Sequence, residues 1–200
     1  MRDTPELQAF TAECEAAETT LRAAPAGVEA LPGLGEWSLG ALVGHLVGVA
    51  GRLLRYDVVA AAPTVDRVGY YAAEPPPGHT FADEPLAVAD WGEQFARAWQ
   101  ATVARCRELN DDVVLATPLG RIRAVEYLAT RVLEVVVHHM DVRAALDLPP
   151  AGTIHAERIT QALLAGLLDG PRPRNLGRTR FILAATGRVA FDDPRFPVLR

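Results

Sequence analysis

Between residues 125 and 146 the chain is apolar on nearly every side, yet it carries a glutamate and a histidine one helical turn apart. The centre of the run reads Val132-Leu133-Glu134-Val135-Val136-Val137-His138-His139-Met140-Asp141-Val142. The spacing predicts a helix over 125–146 that stops before Pro149-Pro150. A helix so rich in valine has little face to give to solvent, so it must pack against others. A carboxylate among those valines costs several kcal/mol unless something pairs with it.

Helical geometry narrows the partners. At ~100° per residue, His138 lies ~40° around the axis from Glu134, and Asp141 lies ~20° away on the other side. Tyr127 and Arg131 fall near the same stripe. His139 lies ~140° away and cannot easily share a partner with Glu134. A metal ion is one partner that neutralises the carboxylate and uses the His138 imidazole. His45, on the apolar face of another expected helix beside Leu42, Leu46 and Val49, is the candidate for a third ligand. Three such ligands leave open coordination positions, as catalytic rather than structural metal sites do. Two plainer readings stand beside this one. The polar line is also what the wet side of an amphipathic helix looks like, and a histidine on an apolar face is also a hydrogen-bonded core residue. Asp141 is a candidate to orient a ligand histidine through its second ring nitrogen, or an ordinary partner of Arg143 or another neighbour.

The other elements follow from periodicity and punctuation. Residues 4–24 read as a helix with Thr4 as N-cap, Pro5 at its first position and Leu7, Phe10, Cys14, Ala17 and Leu21 inward. A loop broken by Pro32, Gly33 and Gly35 leads to a second helix capped by Ser38 and running to about residue 61. Trp37 reads as a packing anchor at its start. Residues 63–85, with Pro75-Pro76-Pro77-Gly78, form a long connection. A third helix starts at Asp83 or Glu84 with Trp91, Phe95, Trp99, Val103 and Cys106 inward, and 110–123 suits a short hairpin or irregular loop. Residues 153–168 read as a fifth helix, and 180–186 as a strand ended by Gly187. Arg172, Arg174, Arg178 and Arg180 read as a solvated charge run, and His79 and His155 as surface residues. Four long helices with apolar faces imply a bundle, whose interior is where facing side chains build metal sites.

Composition removes some functions. Net charge −5 and pI near 5.5 argue against a nucleic-acid surface. No apolar stretch reaches the length of a membrane span, and the charged N-terminus shows no signal core. Cys14 and Cys106 form no motif, which fits a reducing cytoplasm. Dimerisation through the C-terminal segment is left open.

Two segments carry a family resemblance. Trp37-Ser38-Leu39-Gly40-Ala41-Leu42-Val43-Gly44-His45-Leu46 and Arg131-Val132-Leu133-Glu134-Val135-Val136-Val137-His138-His139-Met140-Asp141-Val142 resemble the signatures of the mycothiol-dependent maleylpyruvate isomerase N-terminal domain, of the DinB/YfiT-like metal-binding superfamily. The resemblance covers roughly residues 5–150. It implies an all-α fold, a DinB-like four-helix bundle over 1–150, followed by a short C-terminal extension over 151–200 with a helix and a strand. It implies that His45, Glu134 and His138 ligate a divalent metal, typically zinc, with Asp141, Arg131 and Tyr127 as outer-sphere or substrate-side residues. Two histidines and a carboxylate also describe a non-haem iron site.

The resemblance implies a chemistry too. A metal stabilises the thiolate of a low-molecular-weight thiol, mycothiol in actinobacteria, which then attacks a small electrophile. The isomerase carries a sizeable α/β domain after the bundle, whereas here only 151–200 follow. A thiol S-transferase or detoxification enzyme is therefore expected at least as much as isomerisation. The alternative is a non-catalytic metal- or ligand-binding bundle.

Overall fold

The computed structural model describes residues 1, 3–73 and 91–199. Helix α1 spans Pro5–Arg22. Thr4 caps it, its side chain accepting the Leu7 N–H, and Pro5 stands in the first turn, where its missing N–H costs nothing. Helix α2 spans Leu39–Gly51, with the Ser38 hydroxyl accepting the Ala41 N–H. The loop before it is tight: the Gly33 N–H donates to the Trp37 carbonyl at 2.8 Å and the Trp37 N–H to Leu34 at 2.9 Å. A side chain on Gly33 would meet the Ser38 carbonyl oxygen at 2.7 Å, so only glycine fits.

The second helix is shorter than the expected run to residue 61. It passes into a 3-10 turn, Arg52–Arg55, and then into strand β1, Val58–Val59. A β-branched valine pair suits a strand better than a helix end. The expected connection 63–85 holds a short helix, α3, Arg67–Ala72, capped by Asp66, whose carboxylate accepts the Val68 and Gly69 N–H groups. The remainder of that connection, His79 and the start expected at Asp83 or Glu84 lie outside the described residues.

Helix α4 is Trp91–Glu108, and all five of its expected inward residues are buried. The hairpin expected at 110–123 forms from β2, Val114–Thr117, and β3, Gly120–Arg123. Leu115 pairs with Ile122 across it and with Val58 of β1, giving a three-stranded antiparallel sheet. Helix α5, Ala124–Ala145, follows directly, and α6 is Ile154–Leu167.

Residues 180–186 are not a strand. Arg178–Ala185 is a helix, α7. A five-residue apolar run, Phe181–Ala185, does not distinguish the two by itself. Burial of Phe181, Ile182, Ala184 and Ala185 follows the i, i+1, i+3, i+4 pattern of a helix face. Gly187, with φ +74°, closes it: its N–H donates to Ala184 and the Arg188 N–H to Leu183, which satisfies the last carbonyls.

The structure is mostly helical. Helix α1 packs on α4 and α5, and α2 packs on the same two helices. Helix α6 lies across α1 and α5, α7 lies on α6, and α3 packs on α5 and α6. Phe10, Leu42, Leu46, Phe95, Trp91, Tyr127 and Leu128 fill the common core. Each large apolar side chain buried there contributes roughly 1.5–3 kcal/mol. Because α5 is enclosed by α1, α2 and α6, its polar residues are forced to find partners inside the protein.

Candidate metal centre

The packing of α2 on α5 brings His45 edge-on to His138, with ring centroids 4.9 Å apart. Glu134 completes the group: one ligand atom from each of His45, Glu134 and His138 lies within 4.8 Å of the others. Both histidines are buried, 8% and 7% exposed, and Glu134 is nearly so. Two imidazole nitrogens and a carboxylate oxygen at this separation are a donor set that could hold a divalent metal.

The two members on α5 are held by further side chains. Glu134 Oε2 lies 3.3 Å from His138 Nε2, and Oε1 accepts the Tyr71 hydroxyl at 2.8 Å. Burial opposes ionisation of Glu134. The His138 hydrogen bond, the Arg131 charge and the Tyr71 hydroxyl outweigh it and hold its carboxyl well below the usual range. His138 Nδ1 lies 3.1 Å from Asp141 Oδ2. Burial alone would lower the His138 pKa, but its hydrogen bonds to Asp141 and Glu134 raise it. Burial and the charge of Glu134 push the Tyr71 phenol well up, so it stays a neutral donor.

The three outer candidates therefore separate. Asp141 touches His138 and is also gripped by Arg188, through Nε at 3.1 Å and Nη2 at 2.8 Å. Arg131 is buried, lies over the Tyr127 ring at 4.8 Å and donates from Nε to the Thr130 hydroxyl. Tyr127 is buried against Tyr56 and Tyr70 and adjoins the site through Arg131 and Tyr70 rather than directly. Arg143, the other expected partner of Asp141, bonds the Pro149 carbonyl instead. His139 turns away to α1, where Glu13 and Thr20 hold it.

The trio lies against a cavity of about 590 Å³. Trp37, Tyr70, Tyr71, Leu133, Val137 and Leu199 form much of its apolar wall, and the arginines Arg52, Arg131 and Arg188 also line it. Trp37 is thus more than an anchor: its ring lies 5.0 Å from that of His45 and 37% of the residue stays exposed. Tyr71 and Arg188 were not legible as site residues. For Tyr71 the available signal was the Asp66 cap, which announces a helix carrying the Tyr70-Tyr71 pair. Arg188 had no local signal.

The sequence model of the family described as "Mycothiol maleylpyruvate isomerase N-terminal domain" matches residues 10–143. No curated protein and no solved structure matches the chain. Among the described residues, no helix is long and apolar enough to cross a membrane.

Proposed function

The chain belongs to the mycothiol maleylpyruvate isomerase N-terminal domain family, of DinB-like type, and on that premise we propose that it is a divalent-metal-dependent enzyme that uses mycothiol on a small electrophile. The reaction is S-transfer or isomerisation. In this reading α1, α2, α4 and α5 are the DinB-like four-helix bundle, and 151–200 is its extension. His45, Glu134 and His138 hold the metal, and zinc suits their chemistry.

The observation that carries the reading is the convergence of these three donors on a cavity of about 590 Å³, a size within the usual range for ligand pockets. When bound, the metal supplies the positive charge that makes a thiol deprotonate at neutral pH. The chain's own groups do the rest. Glu134 brings the anionic charge, and Tyr71 fixes the orientation of its carboxylate. Asp141 fixes the His138 ring. The aromatic wall limits water, and Arg131 keeps a positive charge beside the site. Neither Cys14 nor Cys106 reaches the cavity, so the sulfur must come from a small molecule.

The test begins with elemental mass spectrometry of the purified protein beside a His45→Ala/His138→Ala variant. Near-stoichiometric metal in the parent and none in the variant is expected. The loaded parent is then mixed with mycothiol and a panel of small electrophiles, and loss of free thiol is followed. A parent that takes up no metal after incubation with zinc overturns the metal reading. A loaded parent that consumes no thiol overturns the catalytic one.

A further inference from the structure

Arg188 lies outside the family-matched span of 10–143 and outside α2 and α5, the helices that carry the trio. It nevertheless holds a residue in contact with the site. Its guanidinium takes Asp141 in a fork, Nε to Oδ1 at 3.1 Å and Nη2 to Oδ2 at 2.8 Å, and its Nη1 donates to the Thr186 carbonyl at 2.7 Å. Asp141 Oδ2 is the same oxygen that lies 3.1 Å from His138 Nδ1. The chain of contacts therefore runs from the turn after α7, across to α5, and into the imidazole.

That turn is well fixed. The Arg188 N–H donates to the Leu183 carbonyl at 2.7 Å, and the Val198 and Leu199 N–H groups return to the Ala185 carbonyl at 2.9 and 3.1 Å. The Arg188 side chain is only 19% exposed, against 6% for Asp141. A bidentate guanidinium fixes both oxygens of a carboxylate and so its plane. A carboxylate bonded to a ligand histidine orients that ring and selects its tautomer.

We propose that Arg188 is a positioning residue that acts through Asp141 on His138, so that the segment beyond α7 completes the metal centre. The proposal rests on the reading of His45, Glu134 and His138 as ligands. It separates orientation from charge. Were the charge of Asp141 all that mattered, removing Arg188 would free more of it for His138 and tighten metal binding. If orientation matters, removal weakens it.

The test is titration of zinc, and of cobalt as a spectroscopic probe, into metal-free protein against a competing chelator. Parent, Arg188→Ala, Arg188→Lys, Asp141→Asn and the Arg188→Ala/Asp141→Asn double variant are compared. Outer-sphere partners of this kind change metal affinity by about 10–100-fold, and Arg188→Ala is expected to weaken binding ~10-fold or more on that scale. Arg188→Lys is expected to recover part of the loss, since an ammonium cannot fork. In the Asp141→Asn background, Arg188→Ala is expected to add nothing. Unchanged or tighter binding by Arg188→Ala, or an equal loss in both backgrounds, overturns the proposal. Circular dichroism checks each fold; should Arg188→Ala not fold, the same cycle is run with Arg188→Lys, with the same two outcomes. A parent that binds neither metal overturns the ligand reading as well, which distinguishes that failure from a parent that binds and a variant that does not differ.

Discussion

Tyr71 places its hydroxyl 2.8 Å from Glu134 Oε1 and 3.1 Å from the Thr130 carbonyl, so one hydrogen serves two acceptors on α5. The shorter contact is to the charged one. Hydrogen bonds to charged groups contribute about 1.5–3 kcal/mol. Tyr71→Phe keeps the ring and removes the donor, leaving Glu134 with less to stabilise its charge. In metal-free protein the melting temperature is expected to fall by about 5 °C, measured by scanning calorimetry. An unchanged midpoint would mean that solvent takes over from Tyr71.

A second buried group lies on the other side of α5. Glu13 Oε1 is 2.8 Å from His139 Nδ1, Glu13 Oε2 accepts the Thr153 N–H at 2.6 Å, and His139 Nε2 is 2.9 Å from the Thr20 hydroxyl. This ties α1 to α5 and to the start of α6. Glu13→Ala leaves the buried His139 and the half-buried Thr153 N–H without their acceptor, at a cost of about 3–5 kcal/mol. Urea denaturation should show that loss, with a smaller one for Glu13→Gln. Metal content should not change in either variant, because His139 faces away from the trio.

Local period explains what the sequence made legible. Glu134 and His138 share a helix, so their spacing alone put them on one face, and the apolar neighbours of His45 turned it inward. Asp141 was legible for the same reason. Tyr71 and Arg188 reach α5 from 63 and 47 positions away, and no periodicity spans such a distance. The polar line on α5 looked like a wet face because a helix sequence does not say what covers it; here α3, α2 and the segment after α7 do. The strand expected at 180–186 failed because Phe181 to Ala185 has no polar residue to reveal its period. Gly187, read as the end of a strand, is the C-terminal stop of a helix.

Gly187 offers its own test. Its φ of +74° is a conformation that costs an L residue about 1–2 kcal/mol. A side chain there would meet Pro197 only at ordinary contact distance, 3.5 Å, so the cost is conformational rather than steric. Gly187→Ala is expected to lower stability by about 1–2 kcal/mol in urea. A stabilised or neutral variant would show that α7 does not end as described. Because the next residue is Arg188, metal affinity measured alongside reads whether loosening this turn reaches the site.

The cysteines supply the pH dependence. Burial pushes the Cys106 thiol up to about 12, against the opposing pull of the N-terminal ammonium and Arg105. Burial, with the charges of Glu13, Glu15 and Glu18, also raises Cys14 well above the ordinary range. An unfolded cysteine titrates near ~8.5. Below that pH both states keep the proton, and the stability contributed is fully present. Between ~8.5 and the folded value the unfolded chain releases a proton that the folded chain retains, so stability falls as pH rises. Cys106→Ala should flatten that alkaline decline. At pH 8 an aromatic disulfide reagent should find no reactive thiol in the native protein and both in denaturant. This bears directly on the proposed chemistry. A buried, protonated thiol is no nucleophile, so sulfur chemistry at this site needs a thiol from solution. Rapid labelling of either cysteine in the native state would show that its thiol is not held buried and protonated as described.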